Sequence, residues 1–199
     1  MLFKDGDILG PKTKFTREQI IDAAFDIAKS EGIDSITMRK IAEKMGSSVA
    51  PIYVNFKNVD ELNEALIEKI ISISRQLLLE ENTGNPFRDI GMASLRFAME
   101  YSVIFRDMVI KSGKYMQGYD EKIMPTLIEE MQKDPELRGF TIDELKTILL
   151  KIRIFQFGLS MMAANGLLPK DYSKQDMMDI LSSTADDVIM SAKIRKGLR

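Results

Sequence analysis

The sequence predicts an all-α protein of about nine helices, with a three-helix helix-turn-helix unit at its N-terminus and a larger helical domain behind it. Three observations predict this. Apolar residues recur at helical spacing almost throughout, and no stretch alternates convincingly with period two. Several helix starts carry their own capping residues. Two short helical segments, 38–45 and 49–55, are separated only by Gly46-Ser47-Ser48, the layout in which a glycine-containing turn sets two helices at a steep angle.

The first helix, 17–30, opens on Phe15-Thr16-Arg17-Glu18-Gln19-Ile20. Thr16 is a cap, Gln19 completes a capping box, and Phe15 and Ile20 are spaced to staple the entry. Gly32 stands where that helix ends. In the next pair, Ala42 lets the helices approach, Gly46 tolerates the turn, and Ile52 plugs a core shared with Ile21 and Phe25. Pro51 is compatible with a helix capped by Ser48, because it then lies in the first turn, where no backbone N–H is owed. From spacing alone, the pair reads equally well as a tight corner. A long helix over 59–81 runs to the clearest interruption, Thr83-Gly84-Asn85-Pro86. Helices over 87–101, 103–112, 121–133, 142–165 and 174–195 follow. Phe140-Thr141-Ile142-Asp143-Glu144-Leu145 repeats the first capping arrangement, and Gly166 marks the end of the helix it starts. The chain divides into an arm at 1–14, the helix-turn-helix unit at 15–62 and the larger domain at 63–199.

Composition narrows the chemistry. The 199 residues include no histidine and no cysteine, which excludes Ser-His-Asp and Cys-His nucleophiles, zinc or haem held by those side chains, and disulfides. No metal and no cofactor is expected. The N-terminal stretch MLFKDGDILG carries acids where a signal peptide needs an apolar run. The most apolar stretch, Ile154 to Leu168, is broken by Gln156, Ser160 and Asn165. It falls short of the roughly 20 residues a bilayer requires, so a cytoplasmic protein without membrane contact is expected.

The net charge of -2 hides a segregation by face. Through Asn58 there are nine basic and eight acidic residues. Glu18, Asp22 and Asp26 recur every four residues and form an acidic stripe outside the first helix. Arg39 and Lys40 lie at the start of the second helix and Lys57 just after the third, so a phosphate can meet them without meeting the stripe. Lys29 and Lys44 read as part of a solvated mixed-charge surface.

The run from Phe15 to Leu62, FTREQIIDAAFDIAKSEGIDSITMRKIAEKMGSSVAPIYVNFKNVDEL, resembles the DNA-binding domain of the TetR family of bacterial transcriptional regulators. The most diagnostic piece is Ile52-Tyr53-Val54-Asn55-Phe56-Lys57-Asn58, at the end of the recognition helix. The resemblance implies that Thr37 and Arg39 touch the DNA backbone or a base edge. It also implies that Ser48, Val49, Ala50 and Pro51 face the groove, and that Tyr53, Asn55 and Lys57 contact the backbone. Val54 and Val59 depart from the larger or basic side chains common there, which implies fewer phosphate contacts. Val49, Ala50 and Pro51 offer methyl contacts to thymine rather than bidentate hydrogen bonds. Later, the segment from Phe97 to Arg106 resembles the join of two ligand-domain helices, and Phe155 to Met162 a glycine-centred dimerisation helix.

Of 14 methionines, 11 lie beyond residue 85, interleaved with aromatic residues. Such side chains fill cores and also line adaptable cavities. The candidates for a pocket are Phe97, Tyr101, Phe105, Met108, Met124, Phe155 and Met162, taking a mainly apolar or aromatic ligand, with Arg106 or Arg153 available to an anion. The helix at 142–165 is apolar nearly all round and must be covered on more than one side. With the last helix it suggests a two-fold, four-helix dimer interface built on Ile152, Gly158, Leu181, Thr184 and Val188. The reading that follows is a homodimeric regulator, not an enzyme. It is expected to be a repressor released from a pseudo-palindromic double-stranded DNA operator by a small-molecule effector. The alternatives are a dimeric adaptor with a degenerate helix-turn-helix, and a helical enzyme using carboxylates such as Glu129, Glu130 or Asp134.

Overall fold

The structure is a computed structural model that describes residues 15–111 and 113–198; the arm expected at 1–14 lies outside the described residues. Among the described residues there are nine α-helices and no strand. They are α1 (Arg17–Glu31), α2 (Met38–Lys44), α3 (Ala50–Asn55), α4 (Val59–Glu80), α5 (Pro86–Glu100), α6 (Ser102–Arg106), α7 (Gly113–Lys133), α8 (Ile142–Ala164) and α9 (Lys174–Lys196). Short 3-10 turns cover Ile33–Ser35 and Pro135–Leu137, and a π turn covers Asp107–Lys111.

The caps explain where most helices begin. Both sequence-read capping boxes form: Thr16 Oγ1 accepts from Gln19 N at 3.1 Å, and Thr141 Oγ1 from Glu144 N at 3.3 Å, each answered by the partner side chain. Ser173 with Asp176 forms a third capping box at α9, and the Asn58 and Asn85 side chains cap α4 and α5 by accepting from the N–H groups of Glu61 and Arg88. Three expectations need correction. The fourth-from-last helical segment, expected over 103–112, is a single turn of α-helix that widens into the π turn. The next helix starts at Gly113 rather than at 121, because Tyr115, Tyr119, Ile123 and Leu127 form a four-residue repeat that packs on the core and carries the helix past Gly118. Ser48, read as the cap of α3, does not cap it. Val49 holds the N-cap position in helical geometry with no side-chain bond.

Two apolar clusters hold the helices. The first runs from Ile20, Phe25, Ile41, Ile52 and Phe56 through Leu62, Leu66, Ile70 and Ile71 of α4 to Phe97 and Phe105. The second joins α5, α7, α8 and α9 through Leu95, Met131, Leu149, Ile152 and Leu181. Because Leu62 and Leu66 are both fully buried in one cluster, α4 is shared by the helix-turn-helix unit and the larger domain, and the division at residue 62 falls inside one helix.

Candidate DNA-binding face and effector cavity

The short helix α3 has too few residues to be stable alone; its buried side holds it. Ile52 and Phe56 are fully buried over Ile41 and Ala42 of α2 and Ile20 and Ala24 of α1. Gly46 takes φ +63 in the turn between α2 and α3, a backbone conformation that favours glycine. Ser47 N then closes on Ala42 O at 2.9 Å.

What this platform presents outward is Ser48, Val49, Ala50, Tyr53 and Val54, all exposed, with Pro51 half-buried at the second position of the helix. Tyr53 is 53% exposed, so its ring projects from the helix instead of filling the core. Arg39 is exposed beside the same face, its Nε donating to Glu43 Oε1 at 3.0 Å, and Thr37 Oγ1 caps α2 by accepting from Lys40 N at 3.1 Å. Lys40 pairs with Glu31. Lys57 is exposed, while its backbone N–H donates to Glu61 Oε2 at 2.8 Å. Asn55 is turned inward: its Nδ2 donates to Pro51 O at 3.0 Å and to Phe15 O at 3.3 Å. The acidic stripe on α1 is partly neutralised, Asp22 by Lys69 at 2.6 Å and Asp26 by Lys44 at 3.3 Å.

Arg17 was not singled out by sequence, yet it fixes the end of α3. Its guanidinium donates to Asn55 O at 2.8 Å and to Glu61 Oε1 at 3.1 Å, and lies 4.0 Å from the centroid of the Phe56 ring. The backbone bond from Lys57, and then the Arg17 bond, hold the Glu61 carboxyl below its ordinary value.

In the larger domain a mainly apolar cavity of about 60 Å³ lies between α4, α5, α7 and α8. Of the residues expected to line it, Phe97, Phe105 and Met108 do so; Tyr101, Met124, Phe155 and Met162 do not. Tyr101 stands behind the wall, tilted against Phe97 and edge-on to Phe25, and Met162 is on the surface. The polar lining includes Arg153, one of the two arginines available to an anion; sequence periodicity does not reveal its other members, Ser74, Ser94 and Tyr119. Burial pushes the Tyr119 phenol up, a hydrogen bond with Ser74 opposing it. Arg153 reaches the cavity already paired with Asp120 at 2.7 Å, its guanidinium 5.4 Å from the Phe157 centroid. Arg106 is exposed and does not line it.

Ile152 and Leu181, expected at a dimer interface, are buried within the chain in one apolar cluster. Gly158 is exposed, with nothing within 4 Å of where its Cβ would stand, and Thr184 and Val188 are half-buried. The outer apolar surface of α8 and α9 is made instead by Leu150, Ile154, Met162, Ile180, Met190 and Ile194. The acids considered for catalysis are dispersed. Asp134 is buried and spent on the N–H groups of Phe87 and Glu136, Glu130 pairs with Lys133, and Glu129 is exposed. Among the described residues no helix is long and apolar enough to cross a membrane.

An exposed two-helix corner on a buried platform, backed by a cavity-bearing helical domain, defines an all-α helix-turn-helix protein. Residues 20–66 match the family described as bacterial regulatory proteins, tetR family. Among curated proteins it is 37% identical over 75 residues to the uncharacterized HTH-type transcriptional regulator YvkB of Bacillus subtilis (strain 168), covering 38% of this chain and 39% of that protein. It is also 37% identical over 59 residues to the class D tetracycline repressor protein of Escherichia coli, covering 30% and 27%. The matched stretch thus spans less than half the length of either relative. The fold is that of a putative TetR-family transcriptional regulator from Rhodococcus sp. (TM-score 0.62, 20% identity, 87% and 98% covered). It is also that of RolR in complex with resorcinol (TM-score 0.56, 18% identity, 88% and 86% covered).

Proposed function

We propose that the chain is a homodimeric DNA-binding transcriptional repressor, released from a pseudo-palindromic operator by a small, mainly apolar ligand. The observation that carries this is the outward face of α2 and α3: Thr37, Arg39, Ser48, Val49, Ala50, Tyr53 and Lys57 stand exposed on one corner whose underside is fully buried. Phosphates meet Arg39, Lys57 and the Tyr53 hydroxyl, which position the corner. The groove meets Val49 and Ala50, which read thymine methyls. Lys40 contacts DNA only by leaving Glu31, and Asn55 acts by shaping α3 from within. Relatives named as repressors support the direction of regulation. The exposed apolar residues of α8 and α9 support a partner copy, which pairs two recognition helices on a two-fold site. The cavity supports an effector, and RolR, solved with resorcinol, shows a small aromatic compound bound to this fold. The place of action is the cytoplasm, with the DNA.

Duplex binding measured across salt concentration tests the reading. Affinity that falls steeply with salt is expected, with Arg39→Ala and Lys57→Ala each shallowing the slope by about one unit while mass and helix content stay unchanged. Salt-independent, weak binding on every candidate operator refutes it.

A further inference from the structure

Asp107 lies where the cavity meets the helix-turn-helix unit. It opens the π turn between Phe105 and Met108, both of which line the cavity, but its own side chain is fully buried against the end of α1. There Oδ2 accepts the backbone N–H of Ile33 at 2.8 Å, a bond spanning 74 residues of sequence. The fit is close on both sides. Gly32 takes φ +95, and a Cβ on it would lie 2.2 Å from the same oxygen, so position 32 needs glycine for its backbone and for the space the carboxylate occupies. Ile33 begins the turn that leads through Thr37 straight into α2. A second contact runs in parallel: Phe97 of the cavity wall, Tyr101 at 5.2 Å between centroids, and Phe25 of α1 at 5.6 Å.

Size makes this connection matter. An apolar void of about 150 Å³ takes a benzene, whereas this cavity measures about 60 Å³. An aromatic guest therefore displaces the wall. A carboxylate removed from its N–H donor inside the protein is costly, so the wall and the turn move as a unit or the bond breaks.

We propose that Asp107 is a positioning residue whose carboxylate couples the cavity wall at Phe105 and Met108 to the turn that orients the helix-turn-helix. This rests on the DNA-binding reading above. Coupling between sites is reciprocal, so duplex binding at one end slows motion at the other. Hydrogen exchange of the full dimer with and without operator duplex, read beside duplex Kd, tests it. In the wild type, duplex slows exchange over 33–44 and also over 102–111. Asp107→Ala loses the second effect and weakens duplex binding at least tenfold below its melting temperature. Asp107→Asn, which keeps an acceptor oxygen, restores most of both. Gly32→Ala behaves like Asp107→Ala, and the double variant is no worse than either. Variants that melt earlier yet bind duplex with wild-type Kd reduce Asp107 to a structural role and overturn the proposal. A wild type that binds no duplex removes the regulator reading instead. In that case the coupling is judged on exchange alone: Asp107→Ala must raise exchange over 33–44 and 102–111 without raising it in α9, and a uniform rise overturns it.

Discussion

Replacing Arg17 with alanine removes a side chain that ties the last turn of α3 to α1 and α4. The helix is six residues long, so the carbonyl of Asn55 is among its unsatisfied terminal acceptors, and Arg17 supplies a donor at 2.8 Å. A bond from a charged donor is worth about 1.5–3 kcal/mol when enclosed. The side chain is 48% exposed, so about half of that, near 1 kcal/mol, is the reasonable share. The guanidinium over Phe56, 4.0 Å from its centroid, adds roughly 0.5–1 kcal/mol. The total is about 1.5–2 kcal/mol, or a fall in Tm of roughly 3–8 °C for a chain of this size. Duplex affinity should fall at least fivefold at 25 °C, because the outward side chains Tyr53 and Val54 ride on the loosened turn. Arg17→Lys keeps the charge but not the planar fork, and should recover part of the Tm and little of the affinity. Differential scanning calorimetry and fluorescence anisotropy on the same samples decide the matter. An Arg17→Ala protein with lower Tm and unchanged Kd refutes the argument that this clamp positions α3.

Three further outcomes follow from burial and hydrogen bonding. Asp134→Ala strands the buried N–H of Phe87 and uncaps the part-buried N–H of Glu136, and should cost about 1–3 kcal/mol by calorimetry, with duplex affinity unchanged below Tm; a neutral effect contradicts its capping role. Ile154→Asp, at a position 64% exposed, should halve the mass in sedimentation with helix content intact, whereas Ile152→Ala should lower Tm by the about 2–5 kcal/mol of a core truncation and leave the dimer; the reverse result removes α8 from the interface. Glu61, Glu80, Glu136 and Glu144 all have carboxyls held below their ordinary 4.5 by hydrogen bonds, with Arg96 the first cause for Glu80. The unfolded chain therefore binds more protons, and the stabilisation, complete above about pH 4.5, is lost as pH falls through the folded values. Tm should drop below pH 4.5 and drop less steeply in Arg96→Gln; a Tm flat down to pH 3 contradicts it.

The sequence made legible what local chemistry decides. Thr16 with Gln19, and Thr141 with Glu144, name their own capping boxes, and the helices they start begin where their spacing says. The exposed corner was legible for a related reason, since Gly46 and the apolar spacing of Ile41, Ala42, Ile52 and Phe56 leave the other face of α3 nothing to pack on. Long-range choices were not legible. Periodicity finds that α8 is apolar on several sides, but it cannot say that Ile152 is buried in one cluster with Leu181 of the same chain while Ile154, two residues on, faces out. Both carry the same side chain, and only the position of α9 separates core from candidate interface. The same holds for polar groups. Arg17 and Asp107 look like any surface charge in a one-dimensional reading, and each acquires its role from a partner 38 to 74 residues away. Methionine and aromatic content identified a region able to hold a cavity, but lining depends on side-chain direction across four helices. Phe97 faces the cavity and Tyr101, one helical turn on, faces α1, and that difference of facing gives the cavity wall its contact with the helix-turn-helix unit.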